Sequence, residues 1–176
     1  MIDPPVAPLC GGFAFEMRHD RSWHEHVRGI PYQSGLPSPP MESVTVSRHL
    51  EAPPAAVRAE ISEVEAFMRG GGFDEVVVEG ERIELSNRVG IATLELVLER
   101  FEDEESVLAY RQHEGIFDEM ETRYTVTPRE SGCDVVADTT FAIDVALVGE
   151  VLDATVIERQ RRRELNAQFD WLAARV

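Results

Sequence analysis

The last 32 residues constrain this chain most. From Val145 to Val176 they read VALVGEVLDATVIERQRRRELNAQFDWLAARV, with no proline and one glycine, Gly149, near the start. The stretch predicts one continuous helix. At about 100° per residue, Leu147, Val151, Ala154, Leu165, Phe169 and Leu172 fall close to one line. That is an apolar stripe of the width a surface helix buries. Glu158, Arg161 and Arg162 stand in the middle of the same stripe. A helix apolar at both ends of its buried face and charged between them can lie against a core and across a wet cavity. A helix whose ends pack while its centre crosses solvent at a sheet rim would read the same way.

Upstream of this helix the sequence alternates. SVTVSRHL (Ser43 to Leu50) puts Val44, Val46, Arg48 and Leu50 on one side, and Ala52-Pro53-Pro54 stops it. Proline just inside a helix start is well placed, so Pro54 to Ile61 predicts a short helix. Ser62 is a candidate cap for a second one, ending at Gly70-Gly71-Gly72. Strand-like runs then follow one another at hairpin spacing: FDEVVVE, RIELSNRV, IATLELVLERF, SVLAYRQHEGIF, DEMETRYTVTP and CDVVADTTFAID. The order is strand, two short helices, six strands in a meander, long helix. Period-two alternation belongs to an antiparallel sheet with one wet and one buried face. Seven such strands and one long helix predict an α+β layer in which a curved sheet wraps the helix.

The chain is long enough, at 176 residues, for one domain with a real core. Its net charge of −16 argues against nucleic-acid or anionic-membrane partners. All 17 cationic residues are arginine. An acidic, lysine-free composition is that of a salt-in halophile, a halophilic archaeon being the expected source, although GC-rich coding gives the same lysine deficit. Residues 1–40 stand apart: proline-rich, without periodicity, and at three Arg and four acidic residues only slightly charged. They read as a disordered arm, or as an extension upstream of a start at Met41. His19, His24 and His26 have a spacing a metal could use, but no further ligands accompany them, and a solvated tail is the simpler reading. Cys10 and Cys133 imply no disulfide framework. The start lacks signal-peptide character, and no run approaches the roughly 20 apolar residues of a membrane span. A cytoplasmic location is expected, as a monomer or weak homodimer.

The opening strand followed by EAPPAAVRAEIS, the six-strand meander and the ending GEVLDATVIERQRRRELNAQFDWL together resemble the START-like, or SRPBCC, helix-grip superfamily. Its members include plant pathogenesis-related allergens, lipid-transfer domains and bacterial polyketide cyclase/dehydrases. The likeness covers 41–176. It implies a helix-grip fold with a cavity between sheet and C-terminal helix, usually for a hydrophobic small molecule. It implies no particular reaction, since the superfamily shares no catalytic signature.

In such a fold the alternation assigns the walls. Leu94, Leu96, Leu98, Met120, Tyr124, Val135, Phe141 and Ile143 face inward, with Val151 and Ala154 looking down from the helix. For each of them plain core packing is the simpler reading. In SVLAYRQHEGIF the bulkier face carries Leu108, Tyr110, Gln112, Glu114 and Ile116. Oriented inward, it aims Gln112 and Glu114 into the cavity, where desolvation would raise the Glu114 pKa unless an arginine compensates it. Glu158 and Arg162 are spaced i,i+4, which serves helix support or, with Gln112 and Glu114, a polar patch for a ligand's head group. His49 and His113 have no nucleophile at a diagnostic spacing. No phosphate loop, metal site or cofactor is expected.

Three functions compete on this basis. The first is a binding or carrier module for a lipid-like, isoprenoid or polyketide-like molecule. The second is a cyclase/dehydrase-type enzyme with Glu114 or Tyr110 moving protons. The third is a protein–protein adaptor whose cavity has closed.

Overall fold

The computed structural model describes residues 41–89, 92–143 and 154–176. The expectations for 1–40, for the helix between Val145 and Asp153, and for Leu147 and Val151 lie outside these residues. So do the side chains of Leu94 and Ala154.

The described elements follow the expected order. They are β1 (Glu42–Leu50), α1 (Pro54–Ser62), α2 (Val64–Gly70), β2 (Glu75–Glu79), β3 (Arg82–Val89), β4 (Ala92–Arg100), β5 (Leu108–Glu114), β6 (Phe117–Pro128), β7 (Cys133–Ile143) and α3 (Ala154–Ala173). The seven strands form one antiparallel sheet in the order β1-β7-β6-β5-β4-β3-β2. Strands β2 to β7 are a meander, and β1 closes it by pairing with β7, Val44 opposite Thr139 and Val46 opposite Ala137. This is the α+β helix-grip architecture: a curved sheet around the C-terminal helix, with two short helices after the first strand.

Local chemistry explains most boundaries. Pro54 opens α1, where a missing N–H costs nothing. Ser62 does not cap α2 as expected. Its hydroxyl donates back to the Arg58 carbonyl at 2.8 Å, inside α1, and Glu63 takes the cap position. A serine at a helix end can serve the preceding turn as readily as the next one. The glycine run after α2 brings the chain hard against α3: a Cβ at Gly70 would lie 2.6 Å from Trp171 Cγ. Between β5 and β6 the expected single strand breaks at Gly115, whose positive φ a larger residue rarely adopts.

The core fills one end of the grip. Phe67 and Met68 of α2 and Val57 and Ile61 of α1 pack with Leu165, Phe169 and Leu172 of α3, all but shut off from solvent. The Phe67 ring meets Tyr124 edge-on at 5.1 Å and Trp171 at 6.2 Å, an arrangement that aromatic quadrupoles favour.

Candidate functional site

At the other end of the grip the space under α3 is open. A cavity of about 270 Å³ lies between β3, β4, the β5–β6 turn and the first half of α3. Its walls are chiefly apolar, with Phe73, Leu85, Leu96, Ile116, Phe117 and Ile157. Asn87, Gln160, Arg161 and Glu164 bring polar groups to it, and Arg159 and Arg163 stand on its exposed rim. The volume is near the lower end of the roughly 300–1,000 Å³ typical of small-molecule pockets.

Beside this cavity lies a buried polar cluster. Arg161, 5% exposed, donates from Nη1 to Glu164 Oε2 at 2.6 Å. Its Nη2 makes only long contacts, 3.4 Å to Thr122 and Thr139 Oγ1 and 3.5 Å to the Tyr110 hydroxyl. Its Nε is buried with no partner. The second Glu164 oxygen accepts from Gln160 at 3.0 Å. Below, the Tyr110 and Tyr124 hydroxyls stand 3.3 Å apart, and Tyr124 donates to Gln168 Oε1 at 2.6 Å. Burial opposes the Arg161 charge, but Tyr110, Glu164 and Tyr124 outweigh it, and the guanidinium is held above its ordinary pKa. Burial, followed by the Tyr110 oxygen, pushes the Tyr124 phenol up, so it stays a neutral donor. The guanidinium is charged, paired once strongly, and otherwise loosely held.

Several expected cavity residues lie elsewhere. Leu96 and Ile116 line the cavity, whereas Leu98, Met120 and Phe141 are packed in the core, Phe141 against Phe117 at 5.4 Å between ring centres. Tyr110 and Tyr124 belong to the polar cluster rather than to the wall. Gln112 is spent on the backbone: Nε2 donates to the Phe117 carbonyl at 2.7 Å, and Oε1 accepts from the Phe117 N–H at 3.3 Å.

Glu114 does not enter the cavity. Its side chain is 67% exposed. The cause is a one-residue bulge. Leu98 pairs with Gln112 but Val97 pairs with Glu114, so His113 is extra on β5 and the alternation beyond it reverses. Val97 faces away from the cavity, and its partner Glu114 goes with it.

The helix carries a second correction. The line through Ile157, Arg161, Glu164 and Gln168 is the buried polar face of α3. It is rotated by about 80° from a line averaged over the apolar residues. Glu158 therefore sits half-exposed on the helix flank. Arg162 is exposed and donates to the Thr45 carbonyl of β1 at 3.1 Å. Neither lines the cavity.

Phe73, Leu85, Asn87, Phe117, Ile157, Gln160 and Glu164 were not singled out by sequence. The spacing Ile157, Arg161, Glu164, Gln168 was the available signal: i, i+4, i+7, i+11 is one helix face, and its polarity was the clue. Among the described residues no group of three His, Cys, Asp or Glu could hold a metal ion. His49 pairs with Asp134 at 2.8 Å, away from the cavity, and the His113 side chain is 60% exposed.

A family model described as polyketide cyclase / dehydrase and lipid transport matches residues 41–176, and the chain belongs to that family. No curated protein matches the sequence. Solved structures match in fold. The protein TTHA0849 of Thermus thermophilus is 20% identical with a TM-score of 0.61, over 76% of this chain and 96% of that one. The Zhui aromatase/cyclase of a Streptomyces species is 19% identical with a TM-score of 0.60, over 75% and 93%. A START superfamily protein of Mycobacterium smegmatis is 14% identical with a TM-score of 0.57, over 77% and 96%.

Proposed function

We propose that this domain binds a small, mainly apolar molecule in the cavity under the first half of α3, and acts as a binding or carrier module. The observation that carries the reading is the contrast within one grip: the far end is packed solid, while this end keeps about 270 Å³ of apolar-walled space. Interiors are normally filled to crystal-like density, so a retained opening of this size calls for an occupant. An adaptor with a closed interior fits the geometry less well. The family description, which names lipid transport beside cyclase/dehydrase, supports the same reading.

One observation favours a second reading, a cyclase/dehydrase-type enzyme. The Tyr110 hydroxyl lies beside a buried, loosely bonded Arg161 next to the cavity, and a cation there would stabilise developing negative charge on a bound substrate. Tyr110 is then the proton donor, and exposed Glu114 has no part. A monomer or weak homodimer in the cytoplasm remains the proposed setting. Among the described residues no helix is long and apolar enough to cross a membrane.

Native mass spectrometry of the gently purified full chain tests the binding reading. The expected result is a bound small molecule removed by solvent extraction, with the extracted protein taking up apolar probes saturably. A protein with no adduct that also takes up no probe contradicts it.

A further inference from the structure

The charges around the cavity are arranged unevenly. Inside, Arg161 and Glu164 neutralise each other at 2.6 Å, and Gln160 occupies the remaining Glu164 oxygen. At the rim, Arg159 and Arg163 are both exposed and one helical turn apart. Most exposed arginines elsewhere hold carboxylates, Arg69 with Glu65, Arg111 with Glu99, Arg129 with Asp134 and Arg175 with Glu60, while Arg58 and Arg162 donate to the backbone carbonyls of Val126 and Thr45. Among the described residues, Arg159 and Arg163 make no ion pair and no side-chain hydrogen bond. In a chain with 33 acidic residues against 17 cationic ones, two adjacent unpaired cations run against the composition. Like charges at i,i+4 also cost the helix a few tenths of a kcal/mol. Both border the cavity on its solvent-exposed side.

We propose that the cavity's ligand is an amphiphile with one anionic group, which enters apolar end first and leaves its charge at the mouth between Arg159 and Arg163. The inference rests on the cavity being a ligand site and adds the ligand's class and orientation. An acid carried to the inner end would lose its water beside Glu164, which already holds the only buried cation described there. A second, unpaired buried carboxylate is strongly unfavourable. At the rim the acid keeps part of its hydration and meets two free guanidinium groups, whose fork geometry suits a carboxylate. The net charge of −16 repels anions at long range, but at physiological salt the Debye length is only about 8 Å. The local pair then decides.

Calorimetric titration of the solvent-extracted full chain with octanoate and with octanol tests this. The pair shares an apolar tail and differs in the head. Octanoate should bind roughly three- to tenfold more tightly at physiological salt, and the preference should shrink in molar salt, where the Debye length is only about 3 Å. In Arg159→Gln/Arg163→Gln it should fall to about one by loss of octanoate affinity, with octanol unchanged as a control for folding. Equal binding of the two heads by the unmodified chain overturns the proposal while leaving the cavity a ligand site. A preference that survives Arg159→Gln/Arg163→Gln but vanishes in Arg161→Met/Glu164→Leu puts the acid inside and also overturns it. Binding of neither probe defeats the underlying cavity reading instead.

Discussion

The two halves of α3 lie under one sheet and do opposite things. Leu165, Phe169 and Leu172 press into a space that α1 and α2 fill with Ile61, Phe67 and Met68. About two turns earlier, Ile157, Arg161 and Glu164 look into a hollow. The difference lies in the sheet's length against its filler. Two short helices can plug one mouth of the grip, and the described chain has no comparable plug for the other. The helix sequence matches that division, with bulky apolar side chains where the space is filled and an ion pair where it is not. Stability belongs mainly to the plugged end, and the recognition we propose to the open one.

The largest effect should come from breaking the plugged end. Phe169→Ala removes a fully buried ring and should cost about 3–5 kcal/mol in urea denaturation. Next is the ion pair. Glu164→Leu leaves Arg161 buried without its partner and should cost about 3 kcal/mol, whereas Arg161→Met/Glu164→Leu should recover most of that loss. A single variant no less stable than the double would mean that the guanidinium has enough other acceptors.

Tyr124→Phe is smaller, about 1–2 kcal/mol, for the 2.6 Å bond to Gln168. It also changes the response to pH. The folded phenol titrates above its ordinary value, near 10 in an unfolded chain. Its contribution is therefore complete below about pH 10 and declines as pH rises beyond it. Urea midpoints should fall across that range in the parent protein and fall less in Tyr124→Phe. At the open end, Leu96→Ala should cost least, about 1 kcal/mol, because the side chain is half-buried beside existing empty space. It should nevertheless alter probe affinity, which Phe169→Ala should not do directly.

The strands were legible because each buries one face, and period-two alternation records that burial in Ile83/Leu85, Met120/Thr122/Tyr124 and Val135/Ala137/Thr139. Bulges were not legible. His113 on β5 shifts the register by one residue, which is enough to carry Glu114 from inside to outside, and no composition signal marks it. The helix misled for a different reason. The line through Leu165, Phe169 and Leu172 holds at the packed end, but carried back toward the first half of the helix it runs through Glu158 and Arg162. The face that meets the cavity is polar, so apolar counting could not find it. Arg161 was noticed for its place in the stripe, but its partner Glu164 was not.

The most direct measurement is methyl NMR of the solvent-extracted full chain titrated with octanol, with assigned Leu and Ile signals. Shifts confined to Leu85, Leu96, Ile116 and Ile157, with Leu165 and Leu172 still, are the predicted result. Shifts centred on Leu165 and Leu172, or saturating concentrations that move no methyl at the open end, would contradict a ligand site under the first half of α3.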